Sequence, residues 1–290
     1  MNNHSFRFNI GTLECIAVSD GISTYSVEHL FANAPQDQLE RALDKHHLPS
    51  KHLDMPYTCL VINANGHWVL VDTGAGVGRS SSTGKLLHNL AAEGIAPTDV
   101  DTVILSHGHG DHGGGCADSQ GRPAFPRARY VMNKDEWDFW TTEANLIKMG
   151  WHSSIPYVRQ KLLPLRDQLD LIEKETEILP GVRAIPAVGH TPGHMVVTVS
   201  SGQEKLWFTG DALIHPLHLE HPGWYSAFDI RPKQAAATMR RLLEQITAEK
   251  ALVFAYHYPF PGLGYVVQKG AAWQWQPLET GKGLGHDTAE

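Results

Sequence analysis

The sequence predicts an α/β fold in which two β-sheets pack together and helices cover both outer faces, a four-layer αββα sandwich. Two observations predict it. Apolar, strand-like runs alternate with helical patterns along the 290 residues. Several of these runs also end directly at polar side chains of the metal-binding type. No repeat or linker interrupts the pattern, so we expect one domain over 1–290.

The strands follow from short apolar runs bounded by turn residues. The first two are joined at Gly11-Thr12, and the next two form a hairpin around 63–66. The predicted strands are Phe6–Ile10, Leu13–Ser19, Cys59–Asn63, Trp68–Asp72, Val100–Leu105, Arg129–Met132, Val182–Val188, Met195–Ser200, Lys205–Thr209 and Ala251–Ala255.

The helices follow from apolar spacing and end signals. Asn133 and Glu136 have the spacing of an N-cap and its box partner. The predicted helices are Lys85–Glu93, Lys134–Thr142, Ile155–Leu169 and Lys233–Ala248. We expect residues 28–56 to form a helix and a loop that cover the fold or contribute to a homodimer. Ala251–Ala255 is predicted to be the last strand, and 268–290 a tail.

The segment Ser106–Gly114, with the sequence SHGHGDHGG, follows the buried run 103–105. It places three histidines and an aspartate within six residues. Imidazole is the commonest metal ligand in proteins, and a carboxylate adds an anionic oxygen. Although the chain has 18 histidines, four such groups interleaved with glycine at a strand end favour a metal site over a solvated loop. Four ligands on one loop indicate two adjacent metal ions.

Three further strand ends carry groups of the same kind. His190 and His194 lie in a Gly-His-Thr-Pro-Gly-His segment, Asp211 ends a Thr-Gly-Asp segment, and His257 follows the run 252–255. Loops at strand ends are a common place for catalytic groups, because a rigid scaffold positions them. Asp72 also follows a strand. The alternative to a role at the metal site is that Asp72 only forms the turn before Thr73-Gly74.

Taken together, these motifs resemble the metallo-β-lactamase superfamily, in order and spacing, over nearly the whole chain. The resemblance implies that His107, His109 and His190 hold one metal ion. It implies that the second ion is held by Asp111, His112 and His257, and that Asp211 bridges both. Asp72 would accept a hydrogen bond from a ligand histidine and fix its tautomer without contacting the metal. His194 would support the loop without binding the metal.

The residues after His257, with the sequence YPFPGLGY, and the segment Asn133–Trp140 resemble the methyl parathion hydrolase-like branch. N-acyl homoserine lactonases are close relatives of that branch. The resemblance implies a hydrolase of neutral esters, namely lactones and aryl esters, with promiscuous organophosphate triesterase activity. The chain departs from flavo-diiron proteins, which place a glutamate at the position of His109. It also lacks a basic C-terminal region of the glyoxalase II type.

Two metal ions imply a hydroxide that bridges them and attacks the carbonyl carbon or phosphorus. Asp211 and Asp111 would orient this nucleophile. Zinc is the expected metal, and manganese, cobalt or iron also suit these ligands. Two other functions stay open: a mononuclear iron persulfide dioxygenase, and a non-catalytic metal-binding scaffold.

The substrate pocket is expected beside the same loops, with side chains that could bind an acyl chain or an aryl group. Each could instead fill the core. Tyr225 or His215 could also hydrogen-bond a substrate oxygen. The candidates are Trp137, Trp140, Trp151, Leu213, His215, Trp224, Tyr225, Phe228, Phe260 and Leu263.

Composition excludes several classes of partner. The net charge of −7 and the absence of a basic cluster argue against nucleic acid. No apolar run is long enough for a membrane span. The first residues lack a signal-peptide pattern, and three scattered cysteines do not form a disulfide framework. We therefore expect a cytoplasmic enzyme, without excluding export after removal of a leader, whose partner is a small ester or lactone.

Overall fold

Two seven-stranded sheets form the centre of the protein. The computed structural model describes residues 4–78, 80–142 and 155–279. The strands of the first sheet, in spatial order, are β1 (Ser5–Ile10), β2 (Leu13–Ser26), β3 (His52–Ala64), β4 (His67–Val71), β5 (Val100–Ile104), β6 (Arg129–Asn133) and β7 (Leu169–Ile172). The second sheet contains, from one edge to the other, β14 (Ala272–Pro277), β13 (Leu263–Lys269), β12 (Leu252–Phe254), β11 (Glu204–Phe208), β10 (Met195–Ser201), β9 (Val182–Pro186) and β8 (Thr176–Leu179).

Helices cover the outer faces, so the predicted four-layer αββα architecture is confirmed. The helices are α1 (Val27–Leu30), α2 (Gln36–Lys45), α3 (Leu86–Ala92), α4 (Lys134–Thr141), α5 (Ile155–Leu162), α6 (Pro216–Glu220) and α7 (Pro232–Glu249). Short 3₁₀ turns span Leu163–Gln168 and Gly210–Ala212. None of the helices in the described ranges is long and apolar enough to cross a membrane.

The main core lies between the sheets. It combines buried side chains of the first sheet, such as Ile16 and Val103, with Val197 and Phe254 of the second. Helix α7 is amphipathic: Met239, Leu242, Leu243 and Ile246 recur at helical spacing and pack against the outer face of the second sheet. The core between the sheets holds them in a fixed relation, which positions the loops at their edge.

The structure corrects several element boundaries. β2 continues to Ser26 and β3 begins at His52, because the two strands stay hydrogen-bonded to each other through this region. Here β2 carries mostly polar side chains, whereas β3 alternates buried Leu53, Met55 and Tyr57 with more exposed residues. Part of the expected loop at 28–56 is therefore strand. The predicted helix Ile155–Leu169 ends at Leu162 and is followed by β7.

The prediction that the strands end at Ala255 is wrong. The expected tail begins inside β13, and β13 pairs with β14 across a turn at Gly270. Alternate side chains explain this pairing, since Trp273 is buried while the glutamines beside it face outward. A search for continuous apolar runs misses this edge hairpin, because its apolar and polar side chains alternate. The segment was therefore predicted to be a tail.

Candidate metal centre

The predicted metal ligands lie along one edge of the sandwich. β4 runs parallel to β5, and β11 runs parallel to β12, so each pair of strands ends at the same edge of its sheet. Asp72 follows β4 and His107 lies in the loop after β5, whereas Asp211 and His257 follow β11 and β12. The packing of the two sheets therefore brings together side chains that are distant in the sequence.

The first group of ligands consists of His107, His109, His190 and Asp211, whose donor atoms lie within 4.8 Å of one another. Nδ1 of His109 is 3.1 Å from Nε2 of His107 and 2.9 Å from Nε2 of His190. Oδ2 of Asp211 is 3.1 Å from Nε2 of His190. The arrangement is compact enough for all four side chains to contact one ion.

The second group consists of Asp111, His112 and His257. Nε2 of His112 lies 3.4 Å from Nε2 of His257. Oδ1 of Asp211 is 3.0 Å from Nε2 of His112 and 3.2 Å from Nε2 of His257. The two oxygens of Asp211 thus face different groups, which is the geometry that a bridging carboxylate requires.

The outward-facing nitrogens of two ligand histidines are held by acceptors. Nδ1 of His257 donates to the carbonyl oxygen of Pro56 at 2.9 Å, and Nδ1 of His190 lies 2.9 Å from Oδ1 of Asp229. A carbonyl or carboxylate can only accept, so the proton is on Nδ1 in each ring. Nε2 of each ring therefore faces the centre and becomes available as a ligand when it carries no proton.

Asp72 fixes the rings of His112, directly, and of His107, through Ser106. Its carboxylate accepts from the backbone N–H and hydroxyl of Ser106, and it lies 2.7 Å from Nδ1 of His112. Because the Ser106 hydroxyl donates to Asp72, its oxygen accepts from Nδ1 of His107, 3.0 Å away. Asp72 has a left-handed backbone (φ 61°), a conformation that is uncommon for a non-glycine residue and often found at functional sites.

The donor set fits two divalent metal ions. In the second group, Nε2 of His112, Nε2 of His257 and Oδ1 of Asp211 lie 3.0–3.4 Å from one another. Burial would lower the pKa of His112, but Asp211 and Asp72 raise it well above its usual value. A positive charge is therefore favoured between these groups, and a divalent cation would supply it in place of the proton. Ligands that surround a zinc-like ion tetrahedrally at about 2.0–2.1 Å are about 3.3 Å apart, which is the spacing found here.

The charges of the centre depend on burial and on neighbouring groups. Burial, and then the adjacent His190, lower the pKa of His109 to about 3. Burial alone would lower the pKa of His190, but Asp211 and Asp229 raise it to about 10. Burial would raise the pKa of Asp211, but the surrounding histidines hold it well below its usual range. Neutral His109 and anionic Asp211 are ready to ligate, whereas a proton competes with the metal ion at His190.

Glu136 connects the two ligand loops, a role that the sequence did not indicate. Asn133 caps α4 as predicted, but the carboxylate of Glu136 is fully buried and does not serve as its box partner. It accepts from the backbone N–H groups of Gly108 (2.8 Å) and Gly193 (2.9 Å) and from the indole of Trp140 (2.6 Å). This side chain ties the loop of His107 to the loop of His190.

Other supporting groups were also missed. Asp229, the carbonyl of Pro56 and Tyr256 have no motif spacing that could reveal them. The hydroxyl of Tyr256 donates to the backbone oxygen of Asp111 at 2.6 Å, and its ring stacks on His112. His194, expected to support the loop, accepts from the backbone N–H of Asp211 through Nε2 at 3.0 Å.

A cavity of about 160 Å³ opens onto both groups of ligands. Its walls combine apolar side chains with the ligands themselves and with one tyrosine. The lining residues are Tyr25, Leu30, Met55, His109, Gly110, Asp111, Asp211, Ile214, Phe228 and His257. A mostly apolar cavity with few polar groups is typical of a small-molecule site.

The sequence-predicted pocket residues divide into several sets. Phe228 lines the cavity, whereas Trp224 and Tyr225 line a smaller neighbouring cavity that shares Asp211 and Ile214 with the first. Tyr25, Leu30, Met55 and Ile214 were missed, because three of them belong to the segment whose strands extend farther than predicted or to the short α1 beside it.

The remaining candidates do not line the cavity. Leu213, Leu263 and Trp140 are buried in the core, where their apolar surface is covered by neighbouring side chains. Trp137 and Phe260 pack against the main core. His215 caps α6 and accepts from the N–H of Leu217. Trp151 lies outside the described residues.

The described cysteines take no part in the centre. Cys15, Cys59 and Cys116 are buried free thiols. The thiol of Cys116 faces the carbonyl oxygen of Lys161 at 3.3 Å. The ligand groups therefore consist of imidazoles and carboxylates.

Comparisons with known proteins agree with this geometry. A family model described as "Metallo-beta-lactamase superfamily" matches residues 53–257. The chain is 26% identical over 229 residues to the N-acyl homoserine lactonase AiiA of Bacillus thuringiensis subsp. kurstaki, covering 72% of this chain and 84% of that protein. It is 28% identical over 175 residues to the N-acyl homoserine lactonase AiiB of Agrobacterium fabrum (strain C58 / ATCC 33970), covering 52% of this chain and 60% of that protein.

Among solved structures, the chain is similar to AidC, described as a dizinc quorum-quenching lactonase in complex with a product, N-hexanoyl-L-homoserine. The TM-score is 0.88 at 27% identity, covering 95% of this chain and 97% of AidC. It is also similar to AbOPH, described as a hydrolase in the beta lactamase superfamily, with a TM-score of 0.88 at 25% identity and coverage of 96% and 98%.

Proposed function

Because the chain belongs to the metallo-beta-lactamase superfamily and is a metal-dependent hydrolase, we propose that its substrates are neutral lactones and aryl esters. Foremost among them are lactones with an apolar substituent, the class that the names of its lactonase relatives specify. We include dialkyl aryl phosphates as slower substrates, because these triesters are also neutral.

One observation carries the proposal: the cavity that opens onto both ligand groups is mostly apolar, and its described lining contains no basic wall. Leu30, Met55, Ile214 and Phe228 supply the apolar surface. Among the described lining residues there is no arginine or lysine. A site for a phosphodiester or a glutathione conjugate would require such cations, so a neutral ester fits better.

The protein's own residues prepare this site for hydrolysis. Metal ions bound here would polarise the ester oxygen and make hydroxide available near neutral pH. Asp211 places one oxygen toward each group, and Asp72, Asp229 and Pro56 fix which imidazole nitrogens face inward. The apolar wall excludes bulk water, which strengthens the electrostatic interactions within the cavity.

The second ligand group favours the dinuclear hydrolase over the other two functions. A mononuclear oxidoreductase would need only one of the two ligand groups, and would leave the other without a role. Here the second group converges as closely as the first. A non-catalytic scaffold would not require an apolar cavity that opens onto both groups.

The test is a substrate panel with metal-reconstituted enzyme at neutral pH. It compares N-hexanoyl homoserine lactone, an aryl acetate, a dialkyl aryl phosphate, a bis-aryl phosphodiester and S-lactoylglutathione. We expect kcat/KM for the lactone and the aryl ester to exceed that for the diester and the glutathione conjugate by at least about tenfold. A phosphodiester or S-lactoylglutathione as best substrate would overturn the proposal.

A homodimer, the cytoplasmic location, zinc as the metal and the single domain over 1–290 stay predictions. Analytical ultracentrifugation of the purified protein tests the homodimer. Metal analysis of protein purified without added metal tests whether the metal is zinc.

A further inference from the structure

One hydroxyl stands out among the residues that line the cavity. The described lining comprises apolar side chains, Gly110, the ligands of the two groups and Tyr25. Tyr25 is thus the only described lining residue that carries a hydroxyl and the only neutral polar side chain outside the ligand set. A substrate that enters the cavity meets no other protein hydroxyl among the described lining residues.

Tyr25 is held from two sides at the end of β2. Its hydroxyl oxygen lies 2.5 Å from the hydroxyl of Tyr57 on β3 and 3.4 Å from Oδ2 of Asp111. Its ring meets the ring of Phe228 edge to face, with centroids 5.5 Å apart. These contacts fix both the ring and the position of the hydroxyl at the second ligand group.

The neighbours of this hydroxyl determine its direction. The carboxylate of Asp111 can only accept, so Tyr25 directs its proton toward Asp111 and accepts from Tyr57. The bond to Asp111 is long at 3.4 Å, whereas the bond to Tyr57 is short. The hydrogen bond from Tyr25 to Asp111 is therefore weak, and the hydroxyl can donate to a better acceptor without loss of the Tyr57 contact.

Hydrolysis of an ester creates such an acceptor. Negative charge develops on the leaving oxygen as its bond to the carbonyl carbon breaks. The carboxylate of Asp111 cannot donate a hydrogen bond to this oxygen, and no arginine or lysine belongs to the described lining. A neutral hydroxyl at that place is the available donor.

We propose that Tyr25 is a catalytic residue that donates a hydrogen bond to the leaving oxygen of the ester, and that Tyr57 is a positioning residue that holds Tyr25. The inference rests on the proposed ester and lactone hydrolysis. It adds a protein group that distinguishes oxygen esters from their sulfur analogues, because sulfur is a weak hydrogen-bond acceptor.

The test compares a γ-lactone with the thiolactone of the same substituent, in metal-loaded enzyme. Tyr25→Phe removes only the hydroxyl. We expect it to lower kcat for the lactone about 10- to 100-fold, the effect of one hydrogen bond to a charged group. KM and metal content should stay unchanged, and the loss on the thiolactone should be less than about threefold. Tyr57→Phe should lower kcat for the lactone less than Tyr25→Phe does. It should also affect the lactone more than the thiolactone.

Tyr265→Phe is the matched control, because Tyr265 is exposed on β13 and should retain wild-type rates on both substrates. Equal losses of Tyr25→Phe on lactone and thiolactone would overturn the inference, as would wild-type activity on the lactone. Both results leave lactone hydrolysis by the wild-type enzyme intact. A wild-type enzyme that hydrolyses neither substrate would instead overturn the proposed function, and this inference with it.

Discussion

Nδ1 of His190 lies 2.9 Å from Oδ1 of Asp229, although the two residues belong to different loops. The second oxygen of Asp229 accepts from the backbone N–H of Ser226 at 3.0 Å, so the carboxylate is itself fixed. The contact orients the imidazole and keeps its Nε2 lone pair directed at the first ligand group. Asp229 therefore orients a candidate metal ligand without belonging to either ligand group.

Asp229→Ala should weaken metal binding at the first group. Without its acceptor, His190 can rotate and can carry its proton on Nε2. Loss of the hydrogen-bond acceptor of a ligating histidine typically lowers metal affinity about 10- to 100-fold. Competition with a chromophoric chelator measures the affinity, and Asp44→Ala, at an exposed position on α2, is the control. Equal affinities in both variants would contradict the assigned role.

The two ligand groups predict about two metal ions per chain when the enzyme is fully active. Elemental analysis after dialysis gives the stoichiometry. A chelator should abolish activity, and zinc, manganese or cobalt should restore it, because these ions accept the same imidazole and carboxylate ligands. Full activity with one ion per chain would refute the dinuclear interpretation.

Asp211→Asn should lower kcat at least about a hundredfold, in line with losses of charge stabilisation in active sites. The change keeps the shape of the side chain and removes the negative charge that faces both groups at 3.0–3.8 Å. Initial rates on the best lactone, at saturating metal, give the comparison. Asp44→Asn is the matched control. Turnover near that of the wild type would show that Asp211 does not bridge.

The convergence of the seven candidate ligands was predictable because each lies in a short motif in a loop after a strand, and the parallel strands end at one edge. Their partners were not predictable. Asp229 and Glu136 reach the ligands through tertiary packing, which leaves no fixed spacing in the sequence. Tyr25 was missed for a related reason, since β2 continues beyond Ser19 through half-exposed residues that carry no apolar pattern.

The histidines outside the metal centre predict a pH dependence of stability. Burial lowers the pKa of His218 to about 4, against about 6.5 in an unfolded chain. Below pH 6.5 the unfolded chain therefore takes up a proton that the folded protein does not. The free energy of unfolding should fall as the pH falls from about 6.5 toward 4, by about 1.4 kcal/mol per pH unit for this group.

Urea unfolding of the wild type and of His218→Gln at pH 7.5 and 5.5 isolates this contribution. Proton competition for the metal ligands affects both proteins, so it cancels in the difference. We expect the wild type to lose about 1 kcal/mol more than the variant over this interval. His88→Gln, at an exposed position on α3, should follow the wild type. A difference between wild type and His218→Gln that does not change with pH would contradict the prediction.

Glu136→Gln should destabilise the loops that carry the ligands. Oε1 of Glu136 accepts from Gly108 and Trp140, and Oε2 accepts from Gly193. In either orientation, the amide of glutamine would place an NH₂ group against one of these N–H donors.

A buried donor without an acceptor costs about 1–3 kcal/mol, so the free energy of unfolding in urea should fall by about that amount for Glu136→Gln. Metal affinity should fall with it, because the bond to Gly108 holds the loop of His107 and His109 and the bond to Gly193 holds the loop of His190. Glu28→Gln removes the same charge at an exposed position on α1 and should leave both quantities unchanged. If Glu136→Gln matched Glu28→Gln in both measurements, the link between the two ligand loops through Glu136 would have no energetic importance.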